Sequence, residues 1–193
     1  MCLKLKIEDM PEEYSDFDLV RRFLNGDEIS FNEIVRRYQA KIYWHARRMT
    51  GNHFDADEIV QEVLEVIYNK LNGFNFNSSL FTWIYRITIT RSINYIKKQK
   101  LRRLISFDSE ENFQLSTGED IVKSIEDKEK LNKLNEVLKR LPEKQREVFV
   151  LRHFDELSYE EIAELTGKSV GGLKANYFHA FEKVSKLIGK ENG

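Results

Sequence analysis

Hydrophobic residues recur along most of this chain at intervals of three and four positions, which places them on one face of an α-helix. Between Ser30 and Met49 the apolar positions are Phe31, Ile34, Val35, Tyr38, Ile42 and Tyr43. The 193 residues include nine Gly and two Pro, too few for an architecture with many β-turns. We therefore predict an all-α fold.

Capping residues and glycines divide the first hundred residues into four predicted helices. They cover residues 18–25, 30–49, 55–73 and about 78–103. The predicted N-terminal caps of the last three are Ser30 in a capping box with Glu33, Asp55 with Glu58, and either Asn77 or Ser78. The apolar faces of these helices are sufficient for one small helical domain over residues 14–103.

Residues 104–124 interrupt the helical pattern. They lack sustained periodicity and are rich in Asp, Glu, Ser and Asn, so we predict an acidic, flexible linker. Beyond it, residues 125–140 and 142–151 are predicted helices. The predicted organisation is therefore two small helical domains, 14–103 and 125–190, joined by the linker.

The second domain ends in a predicted helix-turn-helix unit. Ser158 and Glu161 form a capping box for a short helix, Gly167 lies in a tight turn, and Ser169 caps a longer final helix. A short helix, a Gly-containing turn and a more basic second helix are typical of DNA-binding proteins. Residues 168–190 contain five Lys and one Glu, which fits that interpretation.

Charge is distributed in blocks, although the net charge is only −1. Residues 49–69 contain five acids and no base, whereas residues 77–107 contain seven bases and no acid. Residues 107–127 then carry seven acids and one Lys. Blocks of opposite sign indicate partners of different kinds for different parts of the chain.

Catalytic, metal and nucleotide motifs are missing from the sequence. The four His lie far apart with no HExxH, Cys2 is a single cysteine, and there is no phosphate-binding Gly-rich loop. We therefore expect no enzyme activity, metal, cofactor or small-molecule substrate. With no signal peptide and no apolar run near ~20 residues, we also expect a cytoplasmic protein without membrane insertion.

Three segments carry a resemblance to a known family. They are DADEIVQEVLEVIY (Asp55 to Tyr68), FTWIYRI (Phe81 to Ile87) and LPEKQREVFVLRHFDELSYEEIAELTGKSVGGLK (Leu141 to Lys174). Their order and content resemble the bacterial RNA polymerase sigma factors of the sigma-70 family, extracytoplasmic-function (ECF) group. The resemblance implies a region 2 domain that binds core polymerase and opens the −10 element, and a region 4 domain that reads the −35 element.

The acidic helix corresponds to the part of region 2 that docks on core RNA polymerase. A solvated acidic face is the alternative interpretation of its charge. The residues that the resemblance assigns to core-polymerase binding are Asp55, Asp57, Glu58, Gln61, Glu62 and Glu65.

The basic end of the fourth helix corresponds to the part that binds and melts −10 DNA. Seven bases exceed what helix-dipole complementation needs. The candidate −10 residues are Asn75, Asn77, Arg86, Thr90, Arg91, Asn94, Lys97, Lys98, Arg102 and Arg103. Phe76, Ser78 and the stretch Thr88–Ser92 are further candidates, while the spacing of Trp83 favours the core. Many family members carry Asn where this chain has Thr90, so its base preference can differ.

The final helix corresponds to the −35 recognition helix, but it lacks the several Arg that family members usually carry. Asn suits adenine, so we expect an A·T-leaning element read mainly by Lys174 and Asn176. Tyr177 and Phe181 are expected in the core, and Phe178 in either environment. The candidate −35 residues are Ser169, Gly171, Gly172, Lys174, Ala175, Asn176 and His179.

Expected partners are core RNA polymerase, double-stranded and melted promoter DNA, and an anti-sigma factor. The acidic linker is either a solvated tether or a segment bound in the polymerase cleft. When the chain is free, its acidic and basic blocks are expected to mask DNA binding. Two alternatives remain open: a stand-alone helix-turn-helix regulator, and a sigma-like decoy that binds polymerase.

Overall fold

The structure, a computed structural model, describes residues 14–105 and 125–190, and every regular element in these two ranges is helical. This confirms the all-α prediction. In the first range the α-helices are α1 (Asp16–Leu24), α2 (Glu28–Thr50), α3 (His53–Lys70) and α4 (Leu80–Ile105). In the second they are α5 (Ile125–Lys139), α6 (Glu143–Phe149), α7 (Tyr159–Thr166) and α8 (Val170–Lys190).

Two short helical turns complete these ranges. A 3₁₀ turn, Leu71–Gly73, follows α3, and a π-helical turn, Val150–Phe154, extends α6. The predicted linker lies outside the described residues except for Leu104 and Ile105, which continue α4. No helix within 14–105 or 125–190 is long and apolar enough to cross a membrane.

The predicted caps of the first half were wrong by a few residues. Helix α2 is capped by Asp27, whose carboxylate accepts a hydrogen bond from the Ile29 amide. Ser30 is buried and its hydroxyl donates to Asp27, so it forms no capping box with Glu33. The N-terminal cap of α2 is therefore Asp27, three residues before the predicted cap Ser30. Likewise, Asn52 rather than Asp55 caps α3, because the Asn52 side-chain oxygen accepts a hydrogen bond from the Phe54 amide.

At the start of α4 the predicted caps Asn77 and Ser78 are also displaced. The Ser79 hydroxyl accepts a hydrogen bond from the Thr82 amide at 3.0 Å. In the second half the prediction is confirmed: Ser158 and Glu161 form a capping box, and Gly167 ends α7 in the left-handed conformation. The helix-turn-helix geometry is thus encoded by local caps.

The first hydrophobic core lies entirely within the first half. It joins α1 to α4, with Leu19, Ile42, Ile59 and Ile84 fully buried at its centre. Trp83 is half-buried against this core, with its ring 5.6 Å from the ring of Phe74, which agrees with the predicted core position.

Two further cores are shared between the halves. In one, Met49 of α2 packs with Leu138 of α5 and Phe149 of α6. In the other, Tyr85 and Ile89 of α4 pack with the helix-turn-helix. The two predicted domains therefore lie directly against each other, so that much of the apolar surface of α5–α8 is buried jointly with α2 and α4.

Candidate polymerase-docking and nucleic-acid interfaces

The six predicted docking residues form two rows on α3. One row faces α4: the Tyr95 hydroxyl donates to Asp55 at 2.8 Å and to Glu58 at 3.1 Å. Further along this row, Glu62 lies 3.6 Å from the Arg91 guanidinium. The second row, Asp57, Gln61 and Glu65, has the i, i+4, i+8 spacing of a single outward stripe.

The outward row is open to solvent. Gln61 and Glu65 are exposed, and the Asp57 side chain is 46% exposed while lying 3.2 Å from His53 Nε2. Tyr95 holds the inner row in place through these hydrogen bonds. Burial and the acidic acceptors raise the pKa of the phenol, so it keeps its proton and remains a donor. The helix thus divides its acids between an internal bracing role and an exposed acidic surface.

A row of polar side chains follows the exposed face of α4. Arg86, Thr90, Asn94, Lys98 and Arg102 recur every four residues and are all exposed. Lys97 is also exposed and lies beside this row. The helix therefore presents a basic stripe, interrupted by the neutral Thr90 and Asn94, over about five turns. Its basic residues are suited to a phosphate backbone.

Two arginines that were predicted to contact DNA have partners within the chain. Arg86 donates to the Glu164 carbonyl at 3.1 Å, at the end of α7, and Arg91 faces Glu62. The Thr90 hydroxyl donates to the Arg86 carbonyl at 2.7 Å. This back-bond leaves the hydroxyl oxygen as an acceptor and exposes the methyl group.

The stretch Thr88–Ser92 was predicted too broadly. Thr88 and Ser92 are fully buried, and the Thr88 hydroxyl donates to the Ile84 carbonyl at 3.0 Å. Ile89 is buried against the helix-turn-helix. These three face the core because i, i+4 spacing places them on the inner side of α4, so they are not DNA contacts in this arrangement.

The loop before α4 places Asn75 and Asn77 at the surface. Asn75 accepts a hydrogen bond from the Asn77 amide at 3.2 Å, which forms a tight polar turn. Between them Phe76 adopts a left-handed φ of 59°, and its ring packs 5.4 Å from that of Phe17. A non-glycine residue held in this conformation is typical of functional loops.

Apart from the exposed Lys174, the first half of α8 presents a surface with little charge. Gly171, Gly172, Ala175, Phe178 and His179 are exposed, and Phe178 is 59% exposed. Ser169 is exposed too, and its hydroxyl accepts from the Gly172 amide at 3.2 Å. The predicted core position of Phe181 was wrong, because this ring is 49% exposed. Tyr177 is half-buried against Phe149.

Both favoured base-reading residues have partners inside the chain. Asn176 is half-buried, and its amide donates to the Gly172 carbonyl at 2.8 Å. The Lys174 ammonium lies 5.6 Å from the centre of the Tyr159 ring. Lys174 nevertheless remains exposed, whereas Asn176 is less exposed than the apolar positions Ala175 and Phe178.

One polar pair escaped the sequence analysis. His45 Nδ1 lies 2.7 Å from Asp155 Oδ2, and the two side chains are 0% and 3% exposed. The residues are 110 positions apart, so no local pattern signals the pair. The clue available in the sequence was the position of His45 among the apolar residues of α2. In the described ranges, no three potential metal ligands cluster.

Comparison with known families matches each half of the chain. Residues 34–102 match the family "Sigma-70 region 2", and residues 131–184 match "Sigma-70, region 4". A two-part helical chain with this content is a sigma factor, the initiation subunit of bacterial RNA polymerase that directs it to promoters.

Similarity to individual relatives extends over nearly the whole length. The ECF RNA polymerase sigma-E factor of Escherichia coli K12 is 34% identical over 190 residues, covering 93% of this chain and 97% of the relative. The RNA polymerase sigma-H factor of Pseudomonas aeruginosa is 30% identical over 186 residues, covering 93% and 96%. The chain belongs to the sigma-70 family of RNA polymerase sigma factors, in the ECF group.

Solved structures share the fold. A structure of CnrH with the cytosolic domain of CnrY matches with a TM-score of 0.67 and 22% identity, covering 91% of this chain and 97% of that one. The sigma factor RpoE in complex with the anti-sigma factor NepR from Bartonella quintana matches with a TM-score of 0.65 and 24% identity, covering 82% and 96%.

Proposed function

We propose that the two halves divide promoter recognition, with residues 14–103 opening the −10 element and residues 125–190 reading the −35 element. The observation that carries this proposal is the separation of charge on the surface. An exposed acidic row on α3 and a basic stripe on α4 serve two partners of opposite sign. A stand-alone helix-turn-helix regulator would need neither surface.

The outward row of α3 is the proposed docking surface for core polymerase. Asp57, Gln61 and Glu65 are available to a partner, whereas Asp55, Glu58 and Glu62 position α3 against α4. Charges at the rim of an interface mainly steer association and set specificity. The supporting argument is that the inner acids contact Tyr95 and Arg91 of α4, whereas Gln61 and Glu65 face solvent. Asp57 is 46% exposed and its ion-pair partner is His53 of the same helix, so it does not tie α3 to α4.

The basic stripe of α4 is the proposed −10 surface. Lys97, Lys98 and Arg102 are exposed at its end and would neutralise phosphates. Arg103, whose side chain lies outside the described part of the chain, is kept as a predicted phosphate contact. Asn75 and Asn77, in the loop before α4, are the proposed contacts to a base released from the duplex. The strained Phe76 between them would hold that loop open toward DNA.

The −35 element is proposed to be read largely through apolar contact. Ala and Phe side chains in the major groove recognise the methyl group of thymine. Ala175 and Phe178 occupy the exposed stripe of α8, with Gly171 and Gly172 allowing close approach and Ser169 at the phosphate. This retains the predicted A·T preference but moves its main source from Lys174 and Asn176 to Phe178, with His179 beside it.

Transcription in vitro tests these assignments together. Purified core polymerase with this chain should produce start-site-specific transcripts from a library of promoters at fixed salt. Gln61→Lys with Glu65→Lys should lower core affinity at least tenfold, whereas the matched exposed change Glu160→Lys on α7 should not. Core binding without specific transcripts would identify a decoy, and no core binding would contradict the docking assignment.

Phe178→Ala tests the reading of the −35 element. Loss of the ring should remove discrimination at one thymine position, by up to about 1–3 kcal/mol, the usual cost of one mismatched base pair, and leave the other positions unchanged. Phe181→Ala, a similarly exposed ring one turn further along α8, is the matched control. Equal sensitivity to both changes would argue for a general packing effect.

An anti-sigma factor is the proposed regulatory partner. The RpoE structure that this fold resembles is a complex with the anti-sigma factor NepR. We further propose a cytoplasmic location and action without catalysis of the chain's own, in keeping with a transcription initiation factor. Co-purification from cells with polymerase, or with an inhibitory protein, checks both partners in one measurement.

A further inference from the structure

A cavity of about 420 Å³ lies between the two halves, apart from the surfaces assigned above. One wall is α2, the second is the first turns of α4, and the third is the end of the π-helical turn with the two residues after it. Sites that bind small molecules commonly enclose about 300–1,000 Å³ and combine apolar walls with a few polar groups. The volume of this cavity therefore suits one small molecule.

The walls of the cavity are mainly aromatic. Trp44 of α2, Phe81 of α4 and Phe154 of the π-helical turn line it, and each is half-buried. The Phe81 ring lies 4.3 Å from the Tyr85 ring at an interplanar angle of 30°, so α4 contributes a nearly continuous aromatic surface. Such walls bind planar groups by offset stacking and by burial of ring surface. We therefore expect the occupant to contain an aromatic ring.

The Tyr85 hydroxyl is a buried donor that lacks an acceptor. Tyr85 lines the cavity and is only 3% exposed, and its hydroxyl forms no hydrogen bond with any residue in the ranges 14–105 and 125–190. Burial and the nearby Asp155 carboxylate raise the pKa of the phenol, so it keeps its proton. Because a buried hydroxyl without an acceptor is costly, this donor favours an acceptor on the occupant.

Two cations on one face of α2 also line the cavity. The Arg48 guanidinium lies 4.5 Å from the centre of the Phe154 ring and 4.0 Å from the Asp155 carboxylate. Lys41 lies two turns earlier and is exposed, with its ammonium 5.5 Å from the centre of the Phe81 ring. Among the described residues, Lys41 has no ion-pair partner. It therefore supplies a positive charge beside the aromatic wall.

Two carboxylates complete the polar lining. Asp155 is bonded by His45 Nδ1 at 2.7 Å and faces Arg48, so its charge is compensated within the wall. Glu156 is exposed and forms no ion pair with the part of the chain that the structure describes. Its φ of 58° is one that glycine adopts without strain, so the side chain is carried at an energetic cost. Glu156 therefore supplies a negative charge at the cavity.

We propose that this cavity binds a small aromatic molecule that carries both a carboxylate and an ammonium group, the chemistry of an aromatic amino acid. The ring would lie against Trp44 and Phe81. The carboxylate would accept hydrogen bonds from the Tyr85 hydroxyl and the Lys41 ammonium, and the ammonium group would donate to Glu156. No bond is made or broken, so the molecule is a ligand rather than a substrate. The proposal does not depend on the proposed division of promoter recognition.

Calorimetric titration of the full chain tests the ligand class. The probes are L-tryptophan, indolepropionate, tryptamine and methylindole, which share one ring and differ in their charged groups. L-Tryptophan should bind at least tenfold more tightly than each of the others and should raise the midpoint of thermal unfolding, because it binds the folded chain. No binding of L-tryptophan at millimolar concentration, or equal affinity for L-tryptophan and methylindole, would overturn the proposal.

Tyr85→Phe tests the carboxylate contact. The change removes one oxygen and keeps the ring in its place against the helix-turn-helix. It should weaken L-tryptophan and indolepropionate about fivefold, the value of one hydrogen bond, and leave tryptamine unchanged. Tyr68→Phe, at the end of α3, is the matched control and should leave all three affinities unchanged. Unaltered binding of L-tryptophan to Tyr85→Phe would overturn the role of the hydroxyl.

Glu156→Gln tests the ammonium contact. Loss of the charge should weaken L-tryptophan and tryptamine at least threefold and leave indolepropionate unchanged. Glu160→Gln, an exposed acid of α7 that does not line the cavity, is the control. Circular dichroism confirms that the helices of each variant are intact. An equal loss of all three ligands in Glu156→Gln would overturn the assignment of the ammonium group.

Fluorine NMR tests the location of the site. A chain labelled with fluorotryptophan gives two signals, since Trp44 and Trp83 are its two tryptophans. Trp44 lines the cavity, whereas Trp83 packs on the first core. Unlabelled L-tryptophan should shift the Trp44 signal and leave the Trp83 signal in place, with Trp83→Phe assigning the two. A shift of the Trp83 signal alone would overturn the cavity as the binding site.

Discussion

The Glu33 carboxylate of α2 accepts hydrogen bonds from two arginines. Arg36 donates two hydrogen bonds to it, at 2.6 and 2.8 Å, and Arg37 donates a third at 2.8 Å. Arg37 also bonds to Asp16 of α1 at 3.0 Å, so the cluster ties α1 to α2. These guanidinium groups, Arg36 first, lower the pKa of Glu33 to about 2.

Acid should weaken the fold through Glu33. Because the folded-state pKa lies below the ordinary value of 4.5, the stabilisation is present above pH 4.5 and is lost as pH falls toward 2. Glu33→Gln should lower the free energy of unfolding by about 2 kcal/mol at pH 7 and flatten its pH dependence over that range. Urea unfolding between pH 7 and pH 3 measures this. An identical effect from exposed Glu160→Gln would contradict it.

Gly51 ends α2 with φ of +74°, where it meets the other half of the chain. A Cβ added there would lie 2.3 Å from Lys139 Cε, so that flexible side chain would have to move. Gly51→Ala should cost about 1–2 kcal/mol from backbone strain, measured by thermal unfolding. Gly73→Ala, with an ordinary φ and open space, is the control and should stay within about 0.5 kcal/mol.

Helices α3 and α4 pack as a pair, and each has some charged residues at their contact and others facing solvent. Tyr95 and Arg91 of α4 engage the inner acids of α3, so the two helices brace each other. What remains outside is an acidic row on one helix and a basic stripe on the other. The bracing explains how opposite charges stand close together without neutralising the surfaces that partners need.

The basic stripe of α4 should determine the salt dependence of promoter binding by the holoenzyme. Lys97→Gln with Lys98→Gln should reduce the slope of log K against log salt concentration by about 1.4 to 1.8, the value for two lost phosphate contacts. Anisotropy titrations with labelled promoter DNA over a salt series measure the slope. Lys133→Gln with Lys144→Gln, two exposed lysines outside the proposed DNA surfaces, is the control, and an equal decrease there would show a general charge effect.

In the described part of the molecule, α2 is one of two helices, with α4, that pack against the second half. The N-terminal part of α2 packs in the first core, its end contributes Met49 to the second, and His45 bonds to Asp155 of the second half. The helix belongs in sequence to region 2 but is completed in space by region 4. Stability of the second half should therefore depend on side chains of the first.

Met49 measures this coupling. The side chain is 0% exposed and its neighbours in the second core are mainly residues of α5, α6 and α8. Met49→Ala should cost about 2–5 kcal/mol and Met49→Leu less than about 1.5 kcal/mol. Hydrogen exchange should quicken in α5 and α6 in the alanine variant. If the faster hydrogen exchange were confined to α1–α4, the halves would be shown to fold independently.

Local patterns in the sequence predicted much of this protein. The helical class follows from apolar spacing, the helix-turn-helix from Ser158, Glu161 and Gly167, and the candidate surfaces from blocks of charge. Each of these signals involves residues within one or two helical turns of one another. The family resemblance, carried by three such segments, supplied the function that the comparisons then established.

Tertiary structure alone decided which side of each helix faces a partner. Ser30 is buried in the packed structure, so Asp27 rather than Ser30 caps the N-terminus of α2. The burial of Thr88 and Ser92, the exposure of Phe181 and the pairing of His45 with Asp155 depend on which helices meet. Contacts between residues about a hundred positions apart leave no periodic trace along the chain, so only the packed structure reveals them.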